Sequence, residues 1–119
     1  MKIAVTSKGK DLDAEVDPRF GRAAYILIVD SESLEFKVLD NSQNVNAFKG
    51  AGIQAAAMVS ESGAEALLTG FCGPNAFRTL NAANIKVAND VGGKVREVVA
   101  DWNAGKISFS SQPNVEGHW

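Results

Sequence analysis

From residue 51 onward the sequence alternates helical with extended patterns, and no other feature narrows the possible folds so far. Residues 51–62 form an alanine-dense helical stretch and residues 65–69 an apolar run. Residues 75–83 read as a second helix and residues 85–88 as another short apolar run. Val95, Val98, Val99 and Trp102 then fall at i, i+3, i+4 and i+7, one face of a third helix. Gly63, Asn84 and Gly105 stand where each helix should stop. Strands separated by helices in this way lie parallel, joined by crossovers. The first half differs. Residues 2–6 and 24–29 read as strands, and Asp30-Ser31-Glu32-Ser33 as a turn. Leu34, Phe36 and Val38 alternate with Glu35 and Lys37, the mark of a half-exposed third strand and hence a hairpin. The order β-β-β-α-β-α-β-α gives an α/β fold with a mixed five-stranded sheet and three helices packed on its faces.

In open sheets of this kind ligands sit beyond the carboxyl ends of the parallel strands. Strands one, three, four and five running the same way would bring four loops to that edge: residues 7–22, 41–52, 70–75 and 89–93. The first is long for a connection, which makes it a candidate functional loop. The 41–49 stretch is polar and asparagine-rich, and the tail from Lys106 is polar and serine-rich. The expected organisation is one cofactor-binding domain over residues 1–105 followed by a polar tail, 106–119.

Composition excludes several classes of function. Twelve basic and fourteen acidic residues give a net charge of -2, so no global positive field draws the chain to nucleic acid or an anionic membrane. Any anion site must be local. Cys72 is the single cysteine and His118 the single histidine, so one chain builds neither a disulfide nor an ordinary soft-metal cage. The longest apolar stretch, residues 23–29, is far short of a membrane span. A reducing cytoplasm is the expected home and a monomer the expected state.

Three segments could carry chemistry. Asp17-Pro18-Arg19-Phe20-Gly21-Arg22 sets two guanidinium groups around an aromatic ring and a glycine, which suits a delocalised anion. Its competing reading is a loop whose Phe20 plugs the core while the arginines pair with Asp17 and its acidic neighbours. Gly50-Ala51-Gly52-Ile53-Gln54-Ala55 matches the dinucleotide fingerprint in form but follows the third strand, across a long polar loop, so no NAD site follows. Glycines at a helix start still let backbone N–H groups approach an anion; close helix–sheet packing explains them equally well. Gly70-Phe71-Cys72-Gly73-Pro74-Asn75 joins a parallel strand to a helix, with Pro74 suited to the first turn. Cys72 there is either a soft-metal ligand or a small buried hydrophobe. The alternating Asp11, Asp13, Glu15 and Asp17 fail as an EF-hand loop, because Val16 and Arg22 hold the places of its Gly and Glu. Gly92-Gly93-Lys94-Val95 lacks the first Gly and the Ser or Thr of a P-loop. No nucleophile–base set can be assembled, and nothing argues for an enzyme.

Taken together, Asp17 through Ala23, Gly50-Ala51-Gly52 and Gly70 through Ala76 resemble the dinitrogenase iron–molybdenum cofactor biosynthesis family, most nearly its orange-protein branch. The resemblance runs from the first strand to about Gly105. It implies an RNase H-like fold and the carriage or storage of a preassembled molybdenum–copper sulfide cluster, or a related iron–molybdenum–sulfur cluster, without turnover. Arg19, Phe20, Gly21, Arg22, Gly50, Ala51, Gly52, Gly73, Pro74 and Asn75 are then the expected cofactor-binding residues and Cys72 the expected metal contact. Many relatives carry His near the place of Arg19, so charge-assisted anion binding stands here in place of imidazole ligation. A P-loop ATPase is an implied partner. The other functions open to such a chain are a regulatory scaffold acting through that partner and a small enzyme holding an anionic metabolite in the same loops.

Overall fold

A run that is apolar on both faces belongs at the centre of a sheet, and Ile3, Ala4 and Val5 place β1 (Lys2–Ser7) there. The computed structural model describes residues 1–42 and 50–110. The other strands are β2 (Tyr25–Asp30), β3 (Phe36–Asp40), β4 (Ala66–Leu68) and β5 (Lys86–Ala88), in the order β3-β2-β1-β4-β5. β2 runs antiparallel to both β1 and β3, while β4 is parallel to β1 and β5 to β4. Strands one, three, four and five therefore point the same way, as the RNase H-like expectation requires.

Side chains alternate across this sheet and divide the core in two. Ala4, Ile26, Ile28, Leu67 and Val87 face α1 (Ala51–Glu61) and α2 (Pro74–Ala82). Ile3, Val5, Leu27, Val29 and Leu68 face α3 (Val95–Asn103), with Leu12 and Val16 of the first long loop beside it. α1 packs through Ala51, Ala55, Ala56 and Val59, side chains small enough for its axis to lie close to the sheet. Asn84 ends α2 in the left-handed conformation, φ 61.

The third strand starts later than its alternation suggests. Leu34 lies in the turn, with φ 64, and donates its N–H to Asp30 O at 2.9 Å. The cause is Asp30, whose carboxylate also accepts the N–H groups of Glu32 and Ser33, drawing one more residue into the turn. Those backbone bonds hold its carboxyl below the usual range. The expected 41–49 loop lies for residues 43–49, and the expected tail for residues 111–119, outside the described residues. Residues 106–110 are anchored: Ser110 N–H donates to Val87 O at 2.7 Å, and Phe109 meets Trp102 edge-on at 5.4 Å.

Candidate functional site

The segment 17–22 is fixed across the carboxyl ends of β1 and β4 by hydroxyl groups. Thr6 Oγ1 donates to Asp17 O at 2.6 Å and lies 2.8 Å from Thr69 Oγ1, both threonines fully buried. Asp17 N–H returns a bond to Thr6 O at 3.0 Å. Phe20 is buried in the α1–α2 side of the core, so the ring anchors the loop from below. Its N–H donates to Phe71 O at 3.0 Å, and Phe71 N–H donates to Pro18 O at 2.6 Å. The strand-to-helix turn can come this close because residue 70 is glycine: a Cβ there would stand 2.7 Å from Pro18 Cα and O. On the other side the buried Asn41 donates its Nδ2 to Gly21 O at 3.2 Å and Ala23 O at 2.7 Å, tying the segment to the end of β3.

The three sequence segments meet through their smallest residues. Gly21, at φ +93, lies against Gly52, and a Cβ on it would fall 2.9 Å from both Gly52 N and Cα. Gly52 in turn lies against Ala76, whose Cβ would be 3.1 Å from an added Cβ. The starts of α1 and α2 are thereby drawn together beside residues 19–22. Gly50 and Gly73 are their N-caps; neither helix has a side-chain cap or an acidic residue in its first turn. Gln54 N–H and Phe77 N–H are the first to find partners, at Gly50 O and Gly73 O. Among the described residues the N–H groups of Ala51, Gly52, Ile53, Asn75 and Ala76 have none. Two bare helix starts of positive dipole share one corner.

The third helix start is sealed. Leu12 O and Ala14 O accept Arg96 N–H and Val95 N–H at 2.8 and 2.9 Å, and Glu97 Oε1 accepts Lys94 N–H at 2.9 Å. Asp13 pairs with Arg96 at 3.0 Å, and the Arg96 hydrogen bond holds its carboxyl low. The described parts of the four loops converge on one edge: Asp90 N–H reaches Gly70 O, Val16 N–H reaches Gly93 O, and Asn41 and Gly52 meet Gly21. The first loop serves two purposes there: residues 8–16 close α3, and residues 17–22 border α1 and α2.

Two arginines stand at the corner, beside the Asp17 carboxylate. Arg19 is exposed, and the Asp17 carboxylate accepts its backbone N–H at 3.1 Å, which leaves the guanidinium outside that bond. Arg22 is half-buried. Cys72 lies fully buried among core residues, its thiol 3.7 Å from Gly73 O and pushed up to about 12 by burial. At neutral pH it keeps its proton. Among the described residues no three His, Cys, Asp or Glu side chains gather to hold a metal ion, and no helix is long and apolar enough to cross a membrane.

A family model described as dinitrogenase iron–molybdenum cofactor matches residues 1–105. The chain belongs to this family. The orange protein of Desulfovibrio gigas, solved in its apo form, is 44% identical with a TM-score of 0.93, over 96% of each chain. A Thermotoga protein provisionally named NifB, of the DUF35 family, is 34% identical with a TM-score of 0.82, over 98% of each chain. A protein of Methanocaldococcus jannaschii provisionally named a dinitrogenase, at 18% identity and TM-score 0.69 over 95% of this chain and 97% of that one, shares the fold. No functionally curated protein matches the sequence.

Two features of the corner escape sequence reasoning. Asn41 looks like one more loop asparagine in a polar run, and its grip on Gly21 and Ala23 spans about twenty residues that no local pattern connects. Thr6 and Thr69 read as ordinary strand residues until the β1–β4 pairing sets them side by side.

Proposed function

We propose that this family member binds and carries a preassembled, anionic metal–sulfur cluster, of the molybdenum–copper sulfide type, without turning it over. What carries the reading is the pair of helix starts at Gly50 and Gly73, with no side-chain cap, no acidic residue in either first turn and N–H groups that find no partner among the described residues. A cluster that arrives complete needs no four-ligand cage. Its sulfide faces need hydrogen-bond donors and positive charge, and N–H groups at helix starts supply both in fixed positions. Arg19 and Arg22 add formal charge, which the chain's net charge of -2 makes necessary. Gly21, Gly52 and Pro74 shape the corner, and Gly73 and Asn75 open it. Phe20 acts from beneath, as the plug that sets the height of its neighbours. Cys72, protonated and buried, is a packing residue first. Such cargo calls for a protein recipient, and a P-loop ATPase of the kind the resemblance implies is the natural class. A monomeric, cytoplasmic carrier is the corresponding state.

The test is titration of the folded protein with tetrathiomolybdate and copper(I), anaerobically, at low and high salt. Wild type should take up coloured cluster, less tightly at high salt. Arg22→Ala should weaken uptake about tenfold, as the loss of a sheltered bond to a charged group does. Arg19→Ala, at an exposed position, should weaken it roughly two- to fivefold. Unchanged affinity in both variants would move the site away from this corner; absence of uptake by the wild type would remove the function itself.

A further inference from the structure

The failed dinucleotide fingerprint at the start of α1 leaves one residue without a role. Gln54 counts there only as a spacer, yet its side chain does not stand away from the molecule. Side chains on a helix lean towards its N-terminus, and Gln54 follows that lean: Nε2 is 3.9 Å from the place that a Cβ on Gly50 would take. The carboxamide is therefore folded back over the first turn, towards the N-cap. It is exposed, and the side chain makes no hydrogen bond to a described residue.

A carboxamide in that position has a use without any ligand. Turned so that Oε1 meets the helix start, it would accept an N–H of Ala51, Gly52 or Ile53, as a capping side chain does. No such bond forms: α1 has no side-chain cap, and it is Nε2 that stands by Gly50. The first turn thus presents donors alone, the N–H groups of residues 51–53 and the Gln54 NH2, and none has an acceptor among the described residues. Gly52 lies against Gly21, so this turn adjoins the segment that carries Arg19 and Arg22.

We propose that Gln54 is a further ligand-contacting residue of this corner, its Nε2 donating a hydrogen bond to the anionic cluster beside the N–H groups of residues 51–53. This role rests on the cluster reading and adds to it a donor of a different kind. Arg19 and Arg22 hold an anion by formal charge, which salt screens; a neutral carboxamide gives a directed bond that salt leaves nearly untouched. The amide has two ends, and an anion selects the donor end.

Anaerobic titration with tetrathiomolybdate and copper(I), at low and high salt, tests this on wild type, Gln54→Met and Gln54→Glu, with circular dichroism confirming the fold. Methionine keeps the length and helix propensity of glutamine but has no donor. Gln54→Met should weaken uptake about two- to tenfold, as the loss of one neutral hydrogen bond does, and by the same factor at both salt concentrations. The deficit of Arg22→Ala should shrink as salt rises. Gln54→Glu keeps the shape and offers only oxygen. It should melt higher than wild type without ligand, through the helix dipole, and take up cluster less tightly than Gln54→Met. In NMR spectra of the labelled wild type, the Gln54 NH2 pair, assigned by its loss in Gln54→Met, should shift on loading. Wild-type affinity in Gln54→Met or Gln54→Glu, an NH2 pair that stays in place, or a Gln54→Met deficit that shrinks with salt would each overturn the assignment while leaving the carrier function standing. Absence of uptake by the wild type would instead remove that function, and the role of Gln54 with it.

Discussion

A thiol in the turn that leads from a parallel strand into a helix invites a role as ligand, but its surroundings decide otherwise at Cys72. Burial favours the neutral form, and the shift from 9.0 to about 12 makes the folded state the better proton binder above the unfolded value. The contribution is therefore complete below about pH 9 and declines as pH rises towards 12. Between pH about 8 and about 10.5 this linkage should remove about 2 kcal/mol from the wild type and nothing from Cys72→Ala. Urea unfolding of both proteins at the two pH values measures the difference, and parallel losses would show the thiol to be less sheltered. Cys72→Ser should retain most cluster uptake, because one protonated sulfur supplies no charge. Gly21 is constrained in another way. Its φ of +93 and the 2.9 Å approach of a Cβ to Gly52 oppose any side chain from two directions. Gly21→Ala should cost about 2 kcal/mol or more in unfolding experiments, and a variant as stable as wild type would mean that the two segments separate freely.

At the scale of helices, the same chemistry repeats three times with two outcomes. α3 has its first N–H groups closed by Leu12 O and Ala14 O, whereas those of α1 and α2 find no partner among the described residues. A helix start without an acid forgoes stability that is easily had, and that suggests a competing use. Asn75→Asp puts a carboxylate into the first turn of α2. Without ligand it should stabilise the fold by about 0.3–1 kcal/mol through the helix dipole, while weakening uptake of an anionic cluster. Thermal melts and cluster titrations on one preparation give both signs; two changes in the same direction would separate the helix start from the ligand. The elements themselves were legible. Helix 95–103 followed from four apolar positions, and its stop from Gly105, because packing enforces that period. Leu34 was misplaced since the reach of the Asp30 carboxylate over the turn has no signature in alternation. The candidate corner was half legible: its three segments could be picked out, but the Gly21–Gly52–Ala76 contact depends on approach distances that spacing does not encode. The sealing of α3 by an acidic loop was not legible at all, since carbonyl oxygens, common to every residue, do it.

Across the whole molecule, the sheet separates two halves of the core, and ligand binding at the proposed corner should reveal the separation. Residues 17–22, the start of α1 and the start of α2 come from three distant parts of the chain and share one corner. A cluster held there ties them together, whereas α3, closed by residues 8–16, lies across the sheet in the other half of the core. Binding to the folded state alone adds about 2.7 kcal/mol at a ligand concentration a hundred times the dissociation constant. For a domain of 119 residues that is a rise of roughly 10 °C in Tm. The rise by itself does not locate the ligand, but hydrogen exchange does. The N–H groups of Ala51, Gly52, Ile53, Asn75 and Ala76 have no partner to break among the described residues, so they should exchange fast in the apo protein and slow together on loading. The first turn of α3, whose N–H groups are already bonded to Leu12 O and Ala14 O, should gain only the uniform protection that global stabilisation gives. Loading that raises Tm yet leaves those five N–H groups fast would place the cluster elsewhere on the molecule. Selective slowing at α3 instead would reverse the assignment of the two faces.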